Sequence, residues 1–264
     1  MPTCPLCLIE TPRLRRSHLL PKSAYKRVNT KEEPNPVLIT PDAIVKTSAQ
    51  LVMPLLCGEC EQLLSTKGEQ YSIPLLASAN RIFPLREILK EEKQAIRSEG
   101  DGYAIYDGRK LEKLDLSSLA HFVVGLFWRS SQKGWKTFDG IQLGRYEEAF
   151  RKYLLTGEFP LDRQSTLLLM VNSDTGPSLE ILQPPQTFRI DGAIAHEFRV
   201  LGLRAQFRSG YKLARNEATE SACFLRNGTL CLASDHEDFL RFFRLMLERV
   251  PVKRNQVDRH GGAA

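Results

Sequence analysis

Apolar residues recur at helical spacing in several stretches of the chain and form short clusters in others. Leu119, Phe122 and Leu126 lie three and four positions apart within residues 116–132, which predicts a buried amphipathic helix. Further helices are predicted at residues 59–71, 82–98, 143–155 and 237–249. Short apolar runs bounded by turn residues predict strands at residues 103–106, 166–171, 179–182, 188–190 and 193–207. The pattern as a whole indicates an α+β protein whose strands form an antiparallel sheet.

The distribution of these elements divides the chain into four parts. Residues 1–75 form a cysteine-containing module, in which the proline-rich residues 30–54 are predicted to be an irregular insertion. Residues 76–102 are a helical connector, and residues 103–250 are a larger domain of antiparallel strands and helices. The polar residues 251–264 are predicted to be a disordered tail.

The Asn227-Gly228 pair predicts a β-hairpin near the end of the larger domain. It lies between two apolar runs in residues 220–234, where a two-residue type I′ turn is favoured. Pairing outward from this turn sets Cys223 and Cys231 on opposite faces of the hairpin. Both cysteines are therefore interpreted as small apolar packing residues.

The other four cysteines occur as two C-x-x-C pairs separated by about fifty residues. No run approaches eighteen apolar residues, and the N-terminus lacks the pattern of a signal peptide, so we expect a cytoplasmic protein without a membrane partner. In a reducing compartment paired cysteines favour metal ligation over disulfides. Four thiolates satisfy a tetrahedral structural zinc ion, and the predicted ligands are Cys4, Cys7, Cys57 and Cys60.

Charge is unevenly distributed along the chain. The 264 residues include 37 Lys and Arg against 31 Asp and Glu, a formal charge of +6. The first 27 residues hold six basic residues and one acidic residue, Glu10. Such a cluster could be a merely solvated surface, but beside a metal and histidine site it favours contact with phosphate. The predicted nucleic-acid-binding residues are Arg13, Arg15, Arg16, Lys22, Lys26 and Arg27.

The order of motifs over roughly the first seventy residues resembles the four-cysteine branch of the HNH, or His-Me finger, endonucleases. The matching residues are the first C-x-x-C pair, then His18-Leu-Leu-Pro21, and then Leu55-Leu56-Cys57-x-x-Cys60. This resemblance implies a treble-clef-like zinc ββα module, a single catalytic Mg²⁺ or Mn²⁺ ion, and hydrolysis of phosphodiester bonds in DNA or RNA. The remainder is similar to uncharacterised bacterial and phage-associated proteins, which implies a defence or toxin effector.

The resemblance assigns roles to individual residues. His18 stands at the position of the general base, and a neutral imidazole is suited to taking a proton from water. Ser17 replaces the usual aspartate ligand, and Glu61 replaces the asparagine or histidine that commonly follows the last cysteine. Glu61 is the first choice for the catalytic-metal ligand, and Glu69, two helical turns later, is a further candidate.

Alternative interpretations remain open at this stage. His18 could be a structural histidine or a zinc ligand, and the helix dipole alone favours glutamate at Glu61. His121, His196 and His236 have no ligand partners at suitable spacing and are interpreted as structural. The leading function is thus a metal-dependent endonuclease acting on nucleic acid, with DNA as the first choice. The alternative is a zinc-stabilised adaptor without catalysis, and in either case the larger domain could bind a protein partner or ligand.

Overall fold

The structure is a computed structural model that describes most of the 264 residues. The described residues are 1–28, 37–39, 44–46, 50–78, 82–92, 95, 97–99, 103–136, 138–158, 162–173, 182–190, 192–210, 213 and 223–233. The predicted helix at residues 237–249, His236 and the predicted tail at residues 251–264 lie outside this part of the chain.

The described residues contain both helices and strands, which occur in short runs of the same type along the chain. The helices are α1 (Lys22–Val28), α2 (Gly58–Leu64), α3 (Gln70–Leu76), α4 (Pro84–Glu91), α5 (Leu116–Ser131), α6 (Tyr146–Thr156) and α7 (Phe224–Asn227). The strands are β1 (Arg15–His18), β2 (Val37–Ile39), β3 (Ile44–Lys46), β4 (Val52–Leu56), β5 (Arg97–Glu99), β6 (Tyr103–Asp107), β7 (Ser165–Asn172), β8 (Leu182–Ile190), β9 (Ala193–Val200), β10 (Leu203–Ser209) and β11 (Thr229–Ala233). The protein is therefore a mixed α+β structure.

The strands of the described residues form two sheets. β1 and β4 pair antiparallel as a small ribbon, and the other nine strands form one sheet in the order β3-β2-β8-β9-β10-β7-β11-β6-β5. Most strand pairs of this sheet are antiparallel, as the sequence predicted, but β2 pairs with β8, and β11 with β7, in parallel. β2 and β3 also belong to residues 30–54, which were predicted to be irregular. Long-range pairing of this kind leaves no local signal in the sequence.

Helix α5 confirms the strongest helical pattern and forms the centre of the core. Asp115 caps its first turn by accepting a hydrogen bond from the Ser118 N–H at 3.0 Å. The Phe127 ring packs against Phe198 of β9 and Phe207 of β10, with ring centroids 4.9 and 6.2 Å apart. Among the helices of the described residues, none has both the length and the apolar character needed to cross a bilayer.

The helix that follows Cys57 is longer than the pattern predicted. The predicted helix at residues 59–71 contains Gly68, a residue of low helix propensity, yet a π-helical segment, Ser65–Glu69, joins α2 to α3 and carries the helix on to Leu76. A Cβ atom on Gly68 would lie 2.8 Å from the backbone nitrogen of Phe122 in α5. Glycine thus allows the π segment to approach the backbone of α5 closely, a tertiary contact that outweighs its low helix propensity.

The predicted hairpin around Asn227-Gly228 was wrong. Residues 224–227 form the short helix α7, and Gly228 ends it with a left-handed backbone, φ 65°. β11 then pairs with β6 and β7, while buried Cys223 precedes α7. The Asn-Gly signal was therefore a helix C-cap, for which the left-handed residue is equally suited. The single strand predicted at residues 193–207 is likewise two strands, β9 and β10, which turn at Leu201-Gly202.

Buried His196 should make the stability of the protein depend on pH. Burial lowers the pKa of His196 from 6.5 to about 4, although a hydrogen bond with the Gln142 backbone acts in the opposite direction. Because the folded state binds this proton less tightly than the unfolded chain, the stabilisation is complete above about pH 6.5 and is lost as the pH falls toward 4. The expected loss is about 3 kcal/mol in the free energy of unfolding.

Urea unfolding at several pH values checks this expectation. The His196→Gln variant retains a group that can hydrogen-bond to Thr187 Oγ1, which lies 2.8 Å from Nδ1 of His196, but it does not titrate. It should lose less stability than the wild type between pH 6.5 and pH 4. Equal losses in the two proteins would show that His196 is not the group responsible.

Candidate metal centre and active-site cleft

Four cysteine side chains converge at the N-terminal end of α2. The Sγ atoms of Cys4, Cys7, Cys57 and Cys60 all lie within 4.8 Å of one another, and those of Cys7 and Cys57 are 3.9 Å apart. A tetrahedral zinc ion with Zn–S bonds of about 2.3 Å places its sulfurs about 3.8 Å apart. The cluster could therefore hold a metal ion such as zinc.

Backbone hydrogen bonds form a tight turn at the first cysteine pair and also reach the thiol sulfurs. The Leu8 N–H donates to the Cys4 carbonyl at 2.8 Å, and Leu8 itself adopts a left-handed conformation with φ 63°. Backbone N–H groups also point at sulfur, from Cys57 to Cys4 Sγ and from Cys60 to Cys57 Sγ, each at 3.4 Å. Since a leucine rarely adopts a positive φ, the tight turn is maintained by the surrounding contacts.

Burial and the neighbouring cysteines shift the pKa values of the thiols in this cluster. Burial raises the pKa of Cys60 far above its ordinary value, and the hydrogen bond with Cys57 and the charge of Cys4 act in the same direction. Burial also raises the pKa of Cys7. Burial opposes ionisation of Cys4 too, but backbone hydrogen bonds outweigh it and lower the pKa of Cys4. A bound divalent cation would compensate four neighbouring thiolates, whose mutual repulsion otherwise prevents them from ionising together.

Helix α6 contacts the segment that contains the first cysteine pair. Arg151 Nη1 donates to the Leu6 carbonyl at 2.7 Å, and its other nitrogens are held by Glu148 at 2.6 and 2.8 Å. The metal centre is thus joined to a helix that lies 145 residues away in the sequence.

His18 lies at the end of β1, the strand that pairs with β4. In the β1–β4 ribbon, Ser17 pairs with Met53 and His18 with Val52. Ser17 is fully buried, whereas His18 is half-buried and lines an open cleft. Burial lowers the pKa of His18 below 6.5, and the nearby Glu61 carboxylate acts in the opposite direction. The imidazole is therefore mainly neutral at pH 7 and able to accept a proton.

Glu61 is held against Ser17 by a short hydrogen bond. β4 leads directly into Cys57, which caps α2, so that Glu61 falls in the first turn of the helix. The Ser17 hydroxyl donates to Glu61 Oε2 at 2.5 Å. The two positions at which this chain departs from the HNH pattern are therefore in direct contact.

Two open clefts meet at His18. One has a volume of about 550 Å³, and its lining includes Arg15, His18, Lys22, Glu61, Glu69 and Arg129. The other has a volume of about 510 Å³ and is lined by Arg16, His18, Lys22, Gln50 and Val52. Exposed basic side chains thus lie on both sides of the histidine, where they could contact successive phosphates of a polymer.

Arg129 completes the wall of the larger cleft from helix α5. Its Nη1 donates to the His18 carbonyl at 2.9 Å, and its Nη2 forms an ion pair with Glu69 Oε1. The side chain of Arg129 is only 4% exposed. A residue 111 positions from His18 therefore contacts the backbone of the candidate base.

The structure brings together some of the residues predicted from the sequence and not others. The three candidate catalytic residues line one cleft with Arg15 and Lys22, and Arg16 lines the adjoining cleft. Arg13, Lys26 and Arg27 line neither cleft. From the sequence, Arg129 could be considered for packing or for phosphate contact, but it was not placed beside His18, although a charge inside the apolar pattern of α5 was a usable signal. Such a charge is rarely buried without a specific partner.

Within the described residues, the four cysteines are the one group of three or more His, Cys, Asp or Glu side chains whose ligand atoms converge as if on a metal. A second ion near His18 would therefore depend on few protein ligands. Comparison of the chain with protein families, curated proteins and solved structures finds no match.

Proposed function

We propose that the protein is a metal-dependent endonuclease in which His18 is the general base. The β1–β4 ribbon and α2 would form a treble-clef-like ββα module of the HNH type, with a structural zinc ion on the four cysteines. The main support for this proposal is the hydrogen bond between Ser17 Oγ and Glu61 Oε2. It joins the first turn of α2 to β1, the strand that contains His18. His18, as the base, and Glu61, as an oxygen ligand, then line one cleft together with basic side chains.

The residues of the cleft fit a hard divalent cation such as Mg²⁺ or Mn²⁺. Glu61 supplies a carboxylate oxygen, and Ser17 orients that carboxylate through its hydroxyl. Mg²⁺ is commonly held by one or two carboxylates together with waters and substrate phosphate, so one glutamate is sufficient. When bound, the ion would stabilise negative charge on the phosphate and on the leaving oxygen.

The chain's own residues would perform the remaining tasks. His18 would take a proton from the attacking water, and its lowered pKa leaves it unprotonated and ready to do so at neutral pH. Arg15 and Lys22 would bind phosphates beside the scissile bond, and Arg16 would extend this contact along the second cleft. Because basic groups flank His18 on both sides, the arrangement favours cleavage within a nucleic-acid chain. DNA is the first choice of substrate.

The Glu61→Gln variant tests the metal assignment. Glutamine is isosteric but provides a neutral amide oxygen, so the variant should need at least about tenfold more Mg²⁺ for half-maximal cleavage of plasmid DNA or RNA. Glu59→Gln is the matched control, since Glu59 is exposed in the same helical turn and does not line the cleft.

Two outcomes of this experiment would count against the proposal. An unchanged Mg²⁺ requirement in Glu61→Gln would remove Glu61 from the metal site. Retained nucleic-acid binding by the wild type, without cleavage of DNA or RNA in Mg²⁺ or Mn²⁺, would favour the alternative of a zinc-stabilised adaptor.

A further inference from the structure

Arg129 places a charge from the larger part of the protein inside the candidate active site. It lies near the end of α5, and its residue is 3% exposed. Its contacts are to the backbone of His18 and to the Glu69 carboxylate, 111 and 60 residues away in the sequence. These contacts join β1, the π segment and α5 at one point of the cleft wall.

Packing alone does not account for a guanidinium at this position. Removing a charged group from water is costly, and an apolar side chain of similar volume often stabilises such a site equally well or better. The Nε atom of Arg129 is buried without a hydrogen-bond partner, an additional cost that a purely structural residue would not need. The Nη1 and Nη2 atoms of Arg129 nonetheless contact His18 and Glu69, two of the three candidate catalytic residues.

The surroundings of Arg129 fix its position. The Trp135 indole N–H donates to the Arg129 carbonyl at 3.2 Å, so the chain after α5 folds back on the end of the helix. Two helical turns earlier in α5, Phe122 receives the close approach of Gly68, the residue before Glu69. Residues seven positions apart lie on nearly the same helical face. One face of α5 therefore holds both Gly68 and Glu69.

We propose that Arg129 is a positioning residue of the active site and that Glu69 serves to hold Arg129 and is not a metal ligand. This inference rests on the proposed endonuclease function. The hydrogen bond to the His18 carbonyl fixes the backbone of the base, and catalytic groups need placement to within about 0.5 Å. The ion pair engages the Glu69 carboxylate, which leaves Glu61 as the acidic ligand for the divalent ion. The active site is then complete only when α5 packs against the zinc module.

Hydrogen exchange in the full-length, zinc-loaded protein tests the positioning role without requiring activity. In Arg129→Met the backbone amides of residues 16–20 should exchange about tenfold faster than in the wild type, because the charge-assisted bond to His18 is lost. Arg129→Lys should restore part of the protection, since lysine retains a cation opposite Glu69. Arg86→Met is the matched control, because Arg86 is a buried arginine of α4 outside the cleft. It should leave exchange in residues 16–20 unchanged.

Manganese binding measured by calorimetry tests the role of Glu69. Glu69→Gln should bind Mn²⁺ within about twofold of the wild type, whereas Glu61→Gln should bind at least about tenfold more weakly. Equal weakening in both variants would overturn the inference by making Glu69 a ligand. Unchanged exchange of residues 16–20 in Arg129→Met would overturn it by removing the positioning contact.

Cleavage assays then separate this inference from the proposed function. If the wild type cleaves, Arg129→Met should lower kcat and leave the Mg²⁺ requirement unchanged. If the wild type cleaves no substrate, the endonuclease proposal fails, while the hydrogen-exchange result still decides whether Arg129 holds β1.

Discussion

Replacing His18 with alanine should reduce the rate of phosphodiester cleavage by a factor on the order of 10² to 10⁴, the usual contribution of a positioned general base. The fold should not change, because the His18 side chain is half-buried at an open cleft and the four-cysteine cluster does not include it. The variant should therefore keep one zinc per chain and a wild-type circular dichroism spectrum. Initial rates on supercoiled plasmid give the direct comparison.

Chemical rescue sharpens the His18 experiment. The cleft beside His18 has a volume of about 550 Å³ and is open to solvent, so free imidazole can reach the space left by alanine. Added imidazole should restore part of the lost rate in His18→Ala and leave the wild-type rate unchanged. Cleavage by His18→Ala at the wild-type rate would refute the assignment of the base. Loss of zinc from the variant would instead indicate that His18 supports the metal centre.

Removing zinc should unfold the N-terminal part of the protein. Structural zinc sites contribute on the order of 10 kcal/mol to folding, which is comparable to the whole stability of a small domain. Without the ion, buried thiols such as Cys4 and Cys60 no longer join the first C-x-x-C pair to the start of α2. A strong chelator, or the Cys60→Ser substitution, should abolish amide protection in residues 1–28 and 50–64.

Elemental analysis and a matched cysteine variant control the zinc experiment. The wild type should contain about one zinc per chain, and Cys60→Ser much less. Cys231→Ser should keep the wild-type zinc content, because Cys231 lies in β11 and is not one of the four clustered cysteines. A wild-type content well below one zinc per chain, or amide protection that survives chelation, would contradict the four-thiolate site.

Local signals predicted some elements of the fold correctly. α5 was evident from the helical spacing of Leu119, Phe122 and Leu126, and β7 from one short apolar run. The parallel pairing of β2 with β8 was not predicted, because it joins segments more than a hundred residues apart. Asn227-Gly228 shows a different limit of prediction from local sequence. A residue with a left-handed backbone, here Gly228, suits a hairpin turn and a helix C-cap equally well.

The candidate site was predictable to the extent that its residues occur in motifs. Two C-x-x-C pairs were sufficient to predict a cysteine cluster, because two such pairs are typical of a site that shares one metal ion. The contact between Ser17 and Glu61 was not predicted, since each residue had been considered separately as a departure from the HNH pattern. Arg129 reaches the site only through the packing of α5, which no motif records.

The proposed function requires that the cleft at His18 cut nucleic acid with the help of a divalent ion. The most direct measurement is incubation of the zinc-loaded wild type with plasmid DNA and with RNA, in Mg²⁺ or Mn²⁺ and in the absence of both. We expect cleavage of at least one of the two substrates, and this cleavage should depend on the divalent ion. Binding to both substrates with no cleavage under any of these conditions would contradict it.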